Sequence, residues 1–158
     1  MQYMRQTSPA VSPVLPLDRA ACACAIVRRA AREVTHLYDA ALAPTGLRIT
    51  QYSLLANLDR HGAIAMSDLA DVLGMDRTTL TRNLAPLERD GLLSLRPAGR
   101  GRTKLVNLTD RGRRDLRAAF PYWEQAQQQL DAAGADGPVR GLLQMAQALR
   151  RGRGERDR

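Results

Sequence analysis

The chain has 158 residues, 44% of them hydrophobic and 25% charged, an ordinary globular composition with room for one domain and appended helices. No apolar run approaches the roughly 18–20 residues that span a bilayer, and the opening stretch MQYMRQTSPAVSPVLPLD lacks the apolar centre of a secretory signal, so neither a membrane protein nor a secreted one is expected. Lys and Arg number 24 against 16 Asp and Glu, a net charge of +8, and every cation but Lys104 is Arg, whose planar fork fits phosphates and guanine edges. A GC-rich genome would enrich Arg as well, so the placement of the charge decides its meaning.

Residues 1–16, with Pro9, Pro13 and Pro16 among Ser, Thr and small residues, read as a flexible arm. Asp18 then offers a cap, and Cys24, Val27, Ala31, Val34, Tyr38 and Leu42 fall on one stripe. That spacing predicts a long first helix over 19–42, ending near Pro44-Thr45-Gly46. Thr50 is expected to cap a second helix, 51–60, with Ile49 and Leu54 placed as a hydrophobic staple. Ser67 is expected to cap a third, Asp68–Leu73, and Asp76 a fourth, Arg77–Arg89, which stops at Asp90-Gly91. Only Gly74-Met75-Asp76 separates these two, the short Gly-containing turn of a helix-turn-helix. Two β-like runs follow, Leu92–Arg96 and Lys104–Leu108. The Gly-rich basic loop joining them suits a hairpin wing. Thr109 is expected to cap a long helix to about Ala132, bent at Pro121, and Pro138 to open a last helix to about Arg150. The tail RRGRGERDR reads as disordered, and no internal repeat is present.

The charge is concentrated. Between Arg77 and Arg117 stand eleven cations and four anions, a net +7, so nearly the whole excess sits in about a quarter of the chain. A uniformly solvated surface has no reason to gather it there; a footprint for a polyanion does. In the fourth helix Leu80, Leu84 and Leu87 recur at core spacing, which turns Thr78, Arg82, Ala85 and Arg89 to the opposite side. Arg82 can then reach guanine O6 and N7, and Thr78 or Thr79 a base edge or thymine methyl, with Thr81 alongside. Arg77 and Arg89 are better placed for phosphates. Pro86 removes one helical hydrogen bond and is expected to kink the helix behind the base-reading half.

The stretches LRITQYSLLANL, MSDLADVLGMDRTTLTRNLAPLERDGLL and TKLVNLTDRG make residues 47–116 resemble the winged helix-turn-helix of the multiple antibiotic resistance regulator (MarR) family. With the flanking helices the resemblance covers about residues 20–150. It implies a mainly α fold with a small β-hairpin wing. Residues 17–46 and 117–150 would be long dimerisation helices around a DNA-binding domain at 47–116. It also implies a cytoplasmic homodimer, an inverted-repeat operator in double-stranded DNA, and most simply repression. Family wings place an Asp ahead of a wing Arg; here the tip carries Arg100 and Arg102 without one, which leaves open which of the two inserts, and Lys104 follows as a further DNA-binding candidate.

Cys24 lies 14 residues before Tyr38, and Tyr38 eight before Gly46, a register similar to the family's organic-hydroperoxide-sensing branch, whose reactive cysteine sits in the first helix. Where that branch has a second Tyr, one turn after the cysteine, this chain has Arg28, which puts a cation beside the thiol. Three readings stand: an oxidation sensor at Cys24, small core hydrophobes at Cys22 and Cys24, or Cu(I) held between subunits. A small apolar or phenolic ligand between the dimer helices and the reading domain is a further effector class. His36 and His61 read as surface and turn residues, and Phe120, Tyr122 and Trp123 as packing anchors. No metal-ligand cluster, phosphate loop or catalytic triad spacing appears, so neither a cofactor nor an enzyme is expected. The rivals are a nonspecific architectural DNA binder and a thiol peroxidase.

Overall fold

A computed structural model describes residues 22–98 and 104–154. The chain divides into two units, Met1–Glu33 and Val34–Arg158, each described by itself. Helix α1, Ala23–Leu42, gives its first half to one and its second half to the other. In the first unit Val27 is half-buried while Cys22, Cys24, Ile26, Arg28 and Ala31 are exposed. The residues assigned to a flexible arm, and the Asp18 cap, lie outside the described residues.

The second unit is a winged helix-turn-helix. After a 3-10 turn at Ala43–Thr45 come α2 (Ile49–His61), β1 (Ile64–Ala65), α3 (Met66–Leu73) and α4 (Arg77–Arg89). They are followed by β2 (Leu93–Pro97), β3 (Lys104–Leu108), α5 (Asp110–Ala132) and α6 (Asp136–Gly154). The sheet is antiparallel in the order β1-β3-β2, with Leu93 opposite Leu108, Leu95 opposite Val106 and Ile64 on the other side of Val106. Val106 thus sits in the central strand and is fully buried. β1 is two residues long and has no alternating pattern of its own to announce it.

The core is built largely from leucine. Leu54, Leu55 and Leu58 of α2, Leu69 of α3 and Leu80, Leu84 and Leu87 of α4 meet Leu93 and Leu108 of the sheet and Leu116 and Ala119 of α5. The i, i+4, i+7 spacing of the α4 leucines is what places all three against the core and fixes which side of the helix faces out. Gly112 lets α5 approach the sheet. A Cβ there would stand 2.0 Å from the Leu92 carbonyl oxygen and 2.7 Å from Leu108 Cδ1.

Three helix starts differ from expectation. α2 begins at Ile49, so Thr50 lies in its first turn rather than capping it. Asp39 of α1 accepts the Ile49 N–H at 2.7 Å, and Gln51 Oε1 accepts the Arg48 N–H at 2.9 Å. α3 begins at Met66, because β1 delivers the chain straight into the helix, and Ser67 Oγ donates to Asp68 instead of capping. The caps at Asp76 and Thr109 form as expected, and α4 and β3 take the expected bounds. α4 and α5 each run as one helix through Pro86 and Pro121. α6 begins at Asp136, before Pro138, and continues through residues 151–154 that read as disordered tail. Among the described residues no helix is long and apolar enough to cross a membrane.

Candidate nucleic-acid interface

The turn ahead of α4 is set by one glycine and one carboxylate. Gly74, at φ 63°, closes α3 in the left-handed conformation, with its N–H on the Asp71 carbonyl at 3.1 Å and the next N–H on Ala70 at 2.9 Å. Two residues later Asp76 accepts the Thr79 N–H at 2.9 Å through Oδ1 and the Thr79 hydroxyl at 2.6 Å through Oδ2. The Thr79 hydroxyl first, and then its amide, hold the Asp76 carboxyl below its ordinary range.

This cap sorts the threonines. Thr79 has both donors committed to Asp76, and the Thr81 hydroxyl donates back to the Arg77 carbonyl at 2.8 Å. Thr78 is exposed, and among the described residues its hydroxyl makes no hydrogen bond. Sequence periodicity sets Thr78 opposite the leucines but gives no signal of which threonine hydroxyl is already engaged.

Arg77, Thr78, Thr81, Arg82 and Ala85 line one shallow groove of about 510 Å³ along α4. Neither Arg77 nor Arg82 has an ion-pair partner among the described residues, so two full charges face solvent beside a polar hydroxyl and two methyl-bearing side chains. Arg89 stands apart at the far end of the helix. Its guanidinium is 78% exposed and lies 3.8 Å from Asp90. Lys104 is exposed at the start of β3, opposite Pro97. Arg100 and Arg102 lie outside the described residues.

The residues singled out for sensing fall in different places. Cys24 and Arg28 are exposed in the N-terminal unit. Tyr38 belongs to the second unit, where it is buried and donates to Gln127 Oε1 at 2.5 Å. Burial, and then the Asp131 charge, push its phenol upward from the usual value. Trp123 of α5 stacks on Tyr52 at 5.7 Å and on Tyr38 at 6.5 Å, with Phe120 at 5.9 Å, so it joins α1, α2 and α5 as a packing anchor. Asp39, which fixes the start of α2 from α1, was missed in the sequence; its partners lie nine and ten residues on, a spacing no helical or strand period marks.

A MarR-family model matches residues 45–102, the stretch from the 3-10 turn to the wing. The Mycobacterium tuberculosis transcriptional regulator MosR, solved in complex with DNA, is 40% identical, with TM-score 0.72 over 82% of this chain and 99% of its own. The chain belongs to the MarR family. Two further structures of transcriptional regulators are similar at 26% identity. A MarR-family transcriptional regulator from Rhodococcus sp. RHA1 has TM-score 0.65 over 78% of this chain and 89% of its own. A probable transcriptional regulator from Pseudomonas aeruginosa has TM-score 0.71 over 83% and 99%. No curated protein sequence matches the chain. As a MarR-family member the chain is a winged-helix transcriptional regulator, and its relatives are regulators rather than enzymes.

Proposed function

We propose that this MarR-family regulator binds double-stranded DNA as a homodimer. The Thr78–Arg82 face of α4 enters the major groove, and occupancy of an inverted repeat represses transcription in the cytoplasm. The observation that carries the reading is the α4 groove itself: two guanidiniums and a hydroxyl without ion-pair or hydrogen-bond partners among the described residues, held outward by three fully buried leucines. MosR crystallised with DNA supports it. The homodimer is supported by α6, where Val139, Leu142, Leu143, Met145 and Leu149 are exposed large hydrophobics on one helix.

The test is selection from random DNA. The wild-type chain is expected to return an inverted repeat with half-sites about 10 bp, or roughly 34 Å, apart. Arg82→Ala is expected to lose roughly 5- to 100-fold of the preference for that repeat, the worth of one bidentate base contact. Arg89→Ala is expected to weaken all duplexes alike. Recovery of shape or AT bias alone would instead favour an architectural binder.

For the effector we propose oxidation of Cys24, as in the hydroperoxide-sensing branch, with Arg28 one turn along the same helix and Tyr38 tying the second half of α1 to α5. The thiolate sulfur takes the outer oxygen of an organic hydroperoxide, the O–O bond breaks, and the alkoxide leaves as the alcohol after taking up a proton. Cys24 is left as sulfenic acid. Exposure of Cys24 supports access by the oxidant. A second reading has its own observation. Tyr52, Ala56, Leu116 and Phe120, with the charged Asp59, Arg60 and Arg117, line a cleft of about 300 Å³ between α2 and α5 that suits a small phenolic effector. Hydroperoxide releasing wild type but not Cys24→Ser from DNA supports the thiol; identical behaviour of the two supports the cleft.

A further inference from the structure

Beside the α4 groove lies a second concavity, about 180 Å³, lined by Arg48, Thr50, Gln51, Arg82 and Asn83 together with the apolar Leu54 and Pro86. Arg82 borders both, so the two are continuous across a single side chain. The lining combines two guanidiniums with amide and hydroxyl groups, and the carboxylate beside it, Asp39, has both oxygens engaged. Asp39 Oδ1 accepts the Ile49 N–H at 2.7 Å, and Oδ2 meets Arg48 Nη1 at 3.3 Å.

That ion pair holds Arg48 by one nitrogen. The Arg48 side chain is 77% exposed, and among the described residues the rest of its guanidinium has no other ion-pair partner, which leaves it open to another oxygen acid. Thr50 is exposed, and Asn83 has its Nδ2 on Met75 Sδ at 3.8 Å, a weak acceptor readily exchanged for a charged oxygen. A cleft this small is below the range of organic-ligand pockets, which begins at roughly 300 Å³. Its size and its donors fit one phosphate group.

We propose that this cleft grips a backbone phosphate of the DNA strand bordering the groove that α4 occupies. Arg48 supplies charge, Thr50 and Asn83 supply hydrogen bonds, and Asp39 positions Arg48. The inference rests on the reading of α4 given above. Because Arg48 precedes α2, it anchors the domain on the duplex from a different element than the base-reading one. Phosphate contacts of this kind fix register and carry no sequence information.

The test uses the full chain, an inverted-repeat duplex and a scrambled duplex of equal length, with anisotropy measured across a salt series. Arg48→Ala is expected to weaken both duplexes by the same factor, about 3- to 10-fold, and to flatten the salt slope by about 0.9, one phosphate's worth. Arg48→Lys is expected to restore most of the slope, since a point charge still neutralises a phosphate. If Arg48→Ala also lowers thermal stability, neutral methylphosphonate linkages scanned along the strand keep the contact readable. One linkage is expected to weaken the wild type and leave Arg48→Ala unaffected. An unchanged slope, a methylphosphonate effect equal in both proteins, or a loss confined to one sequence would overturn the proposal. A wild-type chain that binds neither duplex would overturn the α4 reading with it.

Discussion

Side-chain commitments, rather than side-chain types, separate the residues of the α4 face. Thr78 and Thr79 are chemically identical neighbours, yet among the described residues one hydroxyl has no hydrogen bond and the other closes the helix cap. Thr79→Val is therefore expected to lower the melting temperature, while Thr78→Val leaves it unchanged and alters base preference at one position of each half-site; melting curves beside a selection experiment check both. The Asp76 cap also carries a pH dependence. Its carboxyl titrates lower in the folded chain than in the unfolded one, so its stabilisation is complete above the unfolded value, about pH 4, and is lost as pH falls through the folded value. Asp76→Asn is expected to flatten that acid limb in an acid titration followed by circular dichroism. At this scale the cap was legible, because Asp before a periodic segment has a local mechanism. The engagement of Thr79, the back-bond of Thr81 and the reach of Asp39 to Ile49 were not, since each is a choice among geometries open to the same residue.

Between elements, the Asp76 cap and the Asp90-Gly91 stop gave the bounds of α4 and its leucine spacing gave the buried side, and both agree with the structure. Leu84, 1% exposed, is the middle of that row. Leu84→Ala is expected to cost about 2–5 kcal/mol by chemical denaturation, because the surrounding leucines of α2 and the sheet cannot fully close the cavity. Gly112→Ala is expected to be harmful by overpacking, about 1–3 kcal/mol or more, since the added carbon meets the Leu92 backbone rather than a flexible tip. Neither the contact at Gly112 nor β1 is written in local periodicity. Both exist only because β3 lies between β1 and β2 and α5 packs beside Leu92 and Leu108. The true start of α2 escaped for the same reason: its amide is satisfied from α1, so Thr50 is relieved of the capping role its type suggests.

For the whole molecule, the concentration of charge between Arg77 and Arg117 pointed to a polyanion, and the structure sets two of those cations, Arg77 and Arg82, along one groove of α4. The five exposed apolar side chains of α6 belong to the same account, because an inverted repeat requires two such surfaces related by symmetry. Leu143→Glu is expected to shift the chain from dimer to monomer in light scattering and to weaken operator binding by more than tenfold, as each half-site is then held singly. What most directly tests the central claim is guanine N7 reactivity to a methylating probe on the bound operator, which reports the floor of the major groove. The account predicts protection of one guanine in each half-site by the wild-type chain, and loss of that protection at saturating Arg82→Ala. Protection that persists without Arg82, or saturated binding that leaves every major-groove guanine reactive, would contradict it.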